Sequence, residues 1–136
     1  MTVTIISFGY GHDQPPAAHL TLDLRDLFRD PHPNPALRNL TGHHQPVIDN
    51  VMRQPGTATF LYRLVNLACS IADATQDPVI AIGCVGGRHR SVVIADQLAT
   101  GLRNRRHSRV EVVHRDVDKP VLTSLAREIY GQAVQP

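Results

Sequence analysis

Residues 79–95 read Val79-Ile-Ala-Ile-Gly-Cys84-Val-Gly-Gly-Arg-His-Arg90-Ser91-Val-Val-Ile-Ala95. The run Val79 to Cys84 is apolar throughout and of strand length, as a central strand covered on both faces of an α/β sheet requires. Glycines at 83, 86 and 87 break it, and the spacing from Ser91 to Leu102 is helical. A buried strand, a tight loop and a helix in direct succession form an oxyanion receptor. The glycines admit positive φ, loop N–H groups converge, and the helix N-terminus adds partial positive charge. Arg88 and Arg90 add guanidinium forks suited to phosphate, and Ser91 is placed to cap the helix or reach a ligand oxygen. Phosphate is therefore the favoured ligand; the alternative is a turn that needs glycine for packing alone. The pattern G-x-x-x-x-G-K-[ST] is absent, so P-loop ATP hydrolysis has no support.

Counted from Cys84, the same loop is C-x5-R-S, with Arg90 six positions after the thiol and Ser91 next. Cysteine-dependent phosphatases use this spacing: amides and Arg hold the phosphate while a thiolate attacks phosphorus. Gly83 stands where that class usually has His, and no sequence feature identifies an Asp general acid, Asp116 being only a candidate. A buried, inert Cys84 closing a core strand is the competing reading, and the favoured one.

Outward from this segment, Thr2 to Phe8 is a β-branched strand running into Gly9-Tyr10-Gly11, and Leu20 to Leu24 alternates as a second strand. Asp30-Pro31-His32-Pro33-Asn34-Pro35 excludes helix and fixes an extended or turning segment around His32. Pro46 to Arg53 and Thr57 to Thr75 carry apolar residues at helical spacing, separated by Pro55-Gly56. Val110 to Val113 is a further strand, and Val121 to Tyr130 a closing helix with Pro120 in its first turn. The expected architecture is a single-domain α/β fold over 1–136, a mostly parallel sheet flanked by helices.

Composition agrees with this reading. The 136 residues are 42% hydrophobic and 19% charged, enough apolar material for a core and unlike a disordered chain. Net charge is +2, and 13 of the 14 basic residues are Arg, which permits a nucleic-acid partner without demanding one. Cys69 and Cys84 make no disulfide framework, which favours a reducing compartment. With no basic leader and no run near the roughly 18 apolar residues that span a bilayer, a cytoplasmic protein with no membrane partner is expected.

Several separated segments resemble a known family. Ser7-Phe-Gly-Tyr-Gly11, Asp23-Leu-Arg25, Asp30-Pro-His32, Leu37-Arg-Asn-Leu-Thr41-Gly42, Gln45-Pro-Val47, Ala81 to Ser91 and His114-Arg115-Asp-Val-Asp-Lys119 resemble, in order, the C-terminal domain of RapZ/YvcJ-type RNase adapter proteins. The resemblance implies binding of a sugar phosphate, glucosamine-6-phosphate in the best-known branch, together with small RNA and an RNase in the control of amino-sugar synthesis. Family members are longer and carry an N-terminal P-loop kinase-like domain. The expectation here is that half's absence, with a separate P-loop protein as one conceivable partner.

The ligand set expected from loop and resemblance is Cys84, Val85, Gly86, Gly87, Arg88, His89, Arg90 and Ser91, with His32, Arg38, Thr41 and Gly42 beyond the loop. Asp23 and Arg25 either join it or pair with each other. The RNA-facing set is Arg103, Arg105, Arg106, Arg109, Arg115 and Lys119, basic residues whose other reading is a solvated helix end. No cofactor is expected, and no metal, since the eight His show neither H-x-x-x-H nor H-E-x-x-H spacing. The leading function is a non-catalytic domain that binds a phosphorylated metabolite and acts as an RNA or protein adapter. A Cys84/Arg90/Asp116 phosphatase and an RNA-binding protein without metabolite control are the alternatives.

Overall fold

In a computed structural model that describes residues 1–105 and 109–134, four strands and four helices follow one another as β1 Val3–Gly9, β2 Leu20–Asp23, α1 Gln45–Met52, α2 Thr57–Ala74, β3 Val79–Cys84, α3 Arg90–Asn104, β4 Val110–His114 and α4 Ser124–Tyr130. The sheet order is β2-β3-β1-β4, and every pairing is parallel, sharper than the mostly parallel sheet the sequence implies. The apolar run of β3 takes an interior place, buried from Ile80 to Cys84.

On α2 the buried residues Leu61, Leu64, Val65, Ala68 and Ala72 recur at helical spacing and form one stripe. That stripe joins Val47 and Val51 of α1, Val93, Ile94, Leu98 and Leu102 of α3, and Val3, Ile5, Ile80 and Ile82 of the sheet in one core. The opposite sheet face is open toward the β4 edge, where Glu111 and Val113 are exposed. No helix among the described residues is long and apolar enough to cross a membrane.

Two local expectations are corrected. The last helix begins at Ser124 rather than Val121, because Thr123 is its N-cap and its hydroxyl accepts the Ala126 N–H at 3.2 Å. Pro120 to Leu122 thus stay outside the helix. Ser91 does not cap α3: it lies inside the helix, fully buried, with its Oγ 3.1 Å from Cys84 Sγ.

Candidate anion-binding site

Gly9 and Cys84 are register partners, so the two central strands deliver their carboxyl ends to one place. The connections that leave this end cross, from β1 past β3 to β2 and from β3 past β1 to β4, and the carboxyl ends of parallel strands are where open α/β sheets take ligands. Residues 85–89 fill the gap between β3 and α3. The N–H groups of Val85, Gly86, Gly87, Arg88 and His89 meet no acceptor among the described residues, and they stand at the start of a fifteen-residue helix, where partial positive charge gathers.

The three glycines divide the work differently than expected, since only Gly87 has positive φ, at 68°. A Cβ on Gly87 would also sit 2.6 Å from Gly9 N and 2.7 Å from the Phe8 carbonyl carbon. Gly83 instead makes room for the rings of Phe8 and Tyr10, which a Cβ would meet at 2.5 and 2.6 Å. Gly86 has room for a side chain, with Arg127 Nη1 3.8 Å and Leu122 Cδ1 3.9 Å from where its Cβ would stand.

Beside the loop lies a cavity bordered by Asp30, His32, Cys84, Gly86, Arg88, His89, Arg90, Pro120, Val121, Leu122 and Arg127, with a free volume of about 10 Å³. A larger cleft of about 630 Å³ between Asp26 and Phe60 is open to solvent and shares no lining residue with this cavity. Size does not mark the site; chemistry does. Among the described residues, two buried side-chain nitrogens lack a hydrogen-bond partner, His32 Nδ1 and Arg90 Nε, and both residues border the small cavity. Native interiors seldom leave such groups unpaired without a functional reason.

Arg90 is only partly a ligand group. It is 2% exposed, its Nη1 donates to the carbonyls of Leu24, Arg25, Leu27 and Phe28, and its Nη2 lies 3.6 Å from Asp30. Arg88 turns its guanidinium away from the loop, onto the carbonyls of Asn39, Leu40 and Lys119. His89 is buried, its Nε2 3.0 Å from the Leu37 carbonyl, so the neutral ring carries its proton on Nε2. Arg38 ties down the carbonyls of His32 and Pro33, Thr41 bonds His44, and Gly42 donates to Arg88 O at 2.8 Å, so all three shape the site from outside the cavity. Asp23 and Arg25 pair at 2.7 Å, and Arg25 stacks on Tyr10.

Asp30 and Arg127 border the cavity and pair with each other, yet neither stood among the expected ligand residues. Asp30 was visible within the Asp30-Pro-His32 segment. Arg127, an ordinary cation on a short helix with no buried residue, carried no sequence signal.

Asp116 is fully buried and bonds the Gly9 N–H, Arg115 and Lys119. Burial alone favours its neutral form, but these partners outweigh burial and hold its carboxyl below the usual range. Asp30 follows the same logic: burial is overcome by Arg90, the His32 N–H and Arg127. Burial lowers His89, and burial with Arg127 lowers His32.

The signs follow for stability. Unfolded histidines take up protons near about pH 6.5 while these two resist, so stability falls as pH drops from about 7 to about 5. The two carboxylates contribute fully above about pH 4, and that contribution is lost as pH falls through their depressed values. Melting temperatures across this range should decline in two stages, with His89→Gln flattening the upper one. A flat profile from about pH 7 to about pH 5 in the parent protein would refute this assignment.

The described basic residues lie in two groups. Arg103 and Arg105 sit at the end of α3, bonded to Val110 O and Asn66, and Arg109 is exposed just before β4. Arg115 and Lys119 follow β4, both paired with Asp116, so the length of a strand, about 15 Å, separates the two groups. Arg106 lies outside the described residues.

A family model described as the RapZ C-terminal domain matches residues 1–118. Among curated proteins, a nucleotide-binding protein of Desulforudis audaxviator is 43% identical over 126 residues, 89% of this chain and 42% of its own length. One from Heliobacterium modesticaldum is 39% identical over 88% of this chain and 40% of its own length. One from Mycobacterium leprae is 39% identical over 87% of this chain and 41% of its own length. The chain spans about two fifths of the curated relatives it matches.

Proposed function

Because the chain belongs to the RapZ C-terminal domain family, we propose that its glycine loop binds the phosphate of a small metabolite, a glucosamine-6-phosphate-like sugar phosphate, and that occupancy is passed to a partner. The observation that carries this reading is the pair of orphaned buried nitrogens, His32 Nδ1 and Arg90 Nε, beside five free loop N–H groups. The loop N–H groups and Arg90 Nε are donors, which is the demand of a phosphate, and the Asp30 carboxylate beside them is already paired with Arg127. His32, kept neutral, serves a hydroxyl or amino group of the ligand rather than its charge.

At about 10 Å³ the cavity holds at most a water, so a phosphate enters only if the cover formed by Pro120 to Arg127 lifts. Entry then breaks the Arg127–Asp30 pair and changes the outer surface. A protein or RNA adapter partner, an RNase or a separate P-loop protein would read that change. RNA recognition by the basic residues alone has less support, because they are split between two ends of the sheet. The thiolate phosphatase needs an acid that holds a proton for the leaving oxygen, and Asp116 is buried, triply bonded and ionised.

Thermal melts with glucosamine-6-phosphate, inorganic phosphate and a nucleoside monophosphate test the reading. A ligand at a hundredfold excess over its Kd adds about 2.7 kcal/mol, roughly 10 °C in Tm for a domain of this size. Gly86→Ala should melt like the parent without ligand, since the added methyl meets Arg127 Nη1 and Leu122 Cδ1 only at ordinary contact distance, and should lose the response because it points into the cavity. Absence of any response to phosphorylated ligands, or a parent-like response in Gly86→Ala, would overturn it.

A further inference from the structure

We propose that His43, Asp96 and His114 form a binding site for one borderline divalent cation of the Zn²⁺ type. His43 precedes α1, Asp96 lies on α3 and His114 ends β4, so separate elements bring together residues whose sequence spacing gives no sign of a site. His114 Nε2 is 2.9 Å from Asp96 Oδ1, and His43 Nδ1 is 3.6 Å from Asp96 Oδ2. All three donor atoms lie within 4.8 Å of one another, and the two imidazoles meet edge to face at 4.9 Å. Around a tetrahedral Zn²⁺ with bonds of about 2.0–2.2 Å, neighbouring donors stand roughly 3.4 Å apart. The required contraction falls on His43, whose side chain is 51% exposed and can swing inward.

A second observation points the same way. The other nitrogen of His114, Nδ1, is 2.6 Å from the hydroxyl of Ser7, which is fully buried on β1. This contact fixes the ring and turns Nε2 toward Asp96 and His43, the outer-shell arrangement that orients metal-binding histidines. The sequence Ser7, His114, Asp96 is no nucleophilic triad, because a fully buried hydroxyl meets no substrate. Two imidazoles and one carboxylate suit Zn²⁺ rather than Mg²⁺ or Ca²⁺, which take oxygen. Three protein ligands on a partly exposed surface leave one coordination position for water or an external ligand.

The test uses the full chain, untagged and metal-stripped, because a polyhistidine tag would bind the same ions. Co²⁺ titration should give visible d–d absorption of tetrahedral intensity that saturates at one ion per chain and is displaced by Zn²⁺. His43→Ala and Asp96→Asn, both at partly exposed positions, should keep the metal-free melting temperature and lose the absorption. Ser7→Ala should weaken affinity roughly 10- to 100-fold, the usual cost of an outer-shell partner. Cys69→Ser should change nothing, which separates this site from thiol ligation. No saturable binding of Co²⁺ or Zn²⁺, or binding that survives both His43→Ala and Asp96→Asn, means that the cluster is a charge pair only and overturns the proposal.

Discussion

Arg90→Ala is expected to cost about 3–5 kcal/mol of folding stability, enough to lower Tm by roughly 10–20 °C. The side chain is 2% exposed and acts as a rivet: one nitrogen holds four carbonyls of the Leu24–Phe28 segment and another faces Asp30. Truncation leaves those carbonyls without their donor inside the fold and removes one of the cations facing Asp30, which keeps Arg127 and the His32 N–H, so most of the loss comes from the unsatisfied carbonyls. It also releases Phe28, a non-glycine residue held at φ 60° and stacked edge-on against Phe60. Arg90→Lys should recover little, because a single ammonium cannot reproduce the fork. Urea unfolding of both variants checks this; an alanine variant with parent stability would remove Arg90 from the scaffold and return it wholly to the ligand.

Gly87→Ala is the second large effect. Positive φ costs an alanine about 1–2 kcal/mol, and its Cβ would press at 2.6–2.9 Å on Gly9 N, the Phe8 carbonyl carbon and Asp116 Cβ, none of them the free end of a flexible chain. Relief requires the loop to move off the end of β1, which also breaks the Gly9 N–H bond to Asp116 at 2.7 Å. A total loss of roughly 3 kcal/mol is expected, together with the phosphate response. Gly86→Ala, one residue away and unobstructed, is the matched comparison. Equal stability of the two variants in calorimetry would show that the close approach of loop to β1 does not hold.

Those two residues show what the sequence made legible. The unbroken apolar run of β3, the helical stripe of α2 and the glycine loop depend on local chemistry, and each appears within a residue or two of where the pattern put it. The loop's role as a concentration of unpaired N–H groups was readable for the same reason. What was not readable is where long side chains point. Arg88 and Arg90 look alike as neighbours in one motif, yet the first reaches back to Asn39 and Leu40 and the second to Leu24 and Phe28, directions set by the fold of the preceding segment. Arg127 meets Asp30 across 97 positions of chain. Ser91 was read as a cap because it opens the apolar helix pattern; burial beside Cys84 places it one step inside. The RNA-facing set falls into two groups because the end of α3 meets the start of β4 while Arg115 and Lys119 follow its far end, a separation that sequence proximity alone does not give.

The burial of Cys84 has a kinetic consequence. The thiol is 3% exposed at the floor of a cavity roofed by Pro120 to Arg127. Alkylating agents and oxidants therefore reach it no faster than the roof opens, while Cys69, half-buried on α2, answers to its own local surroundings. Under the proposed lifting of that cover, the thiol that ends β3 is a clock, reading how often the cover opens.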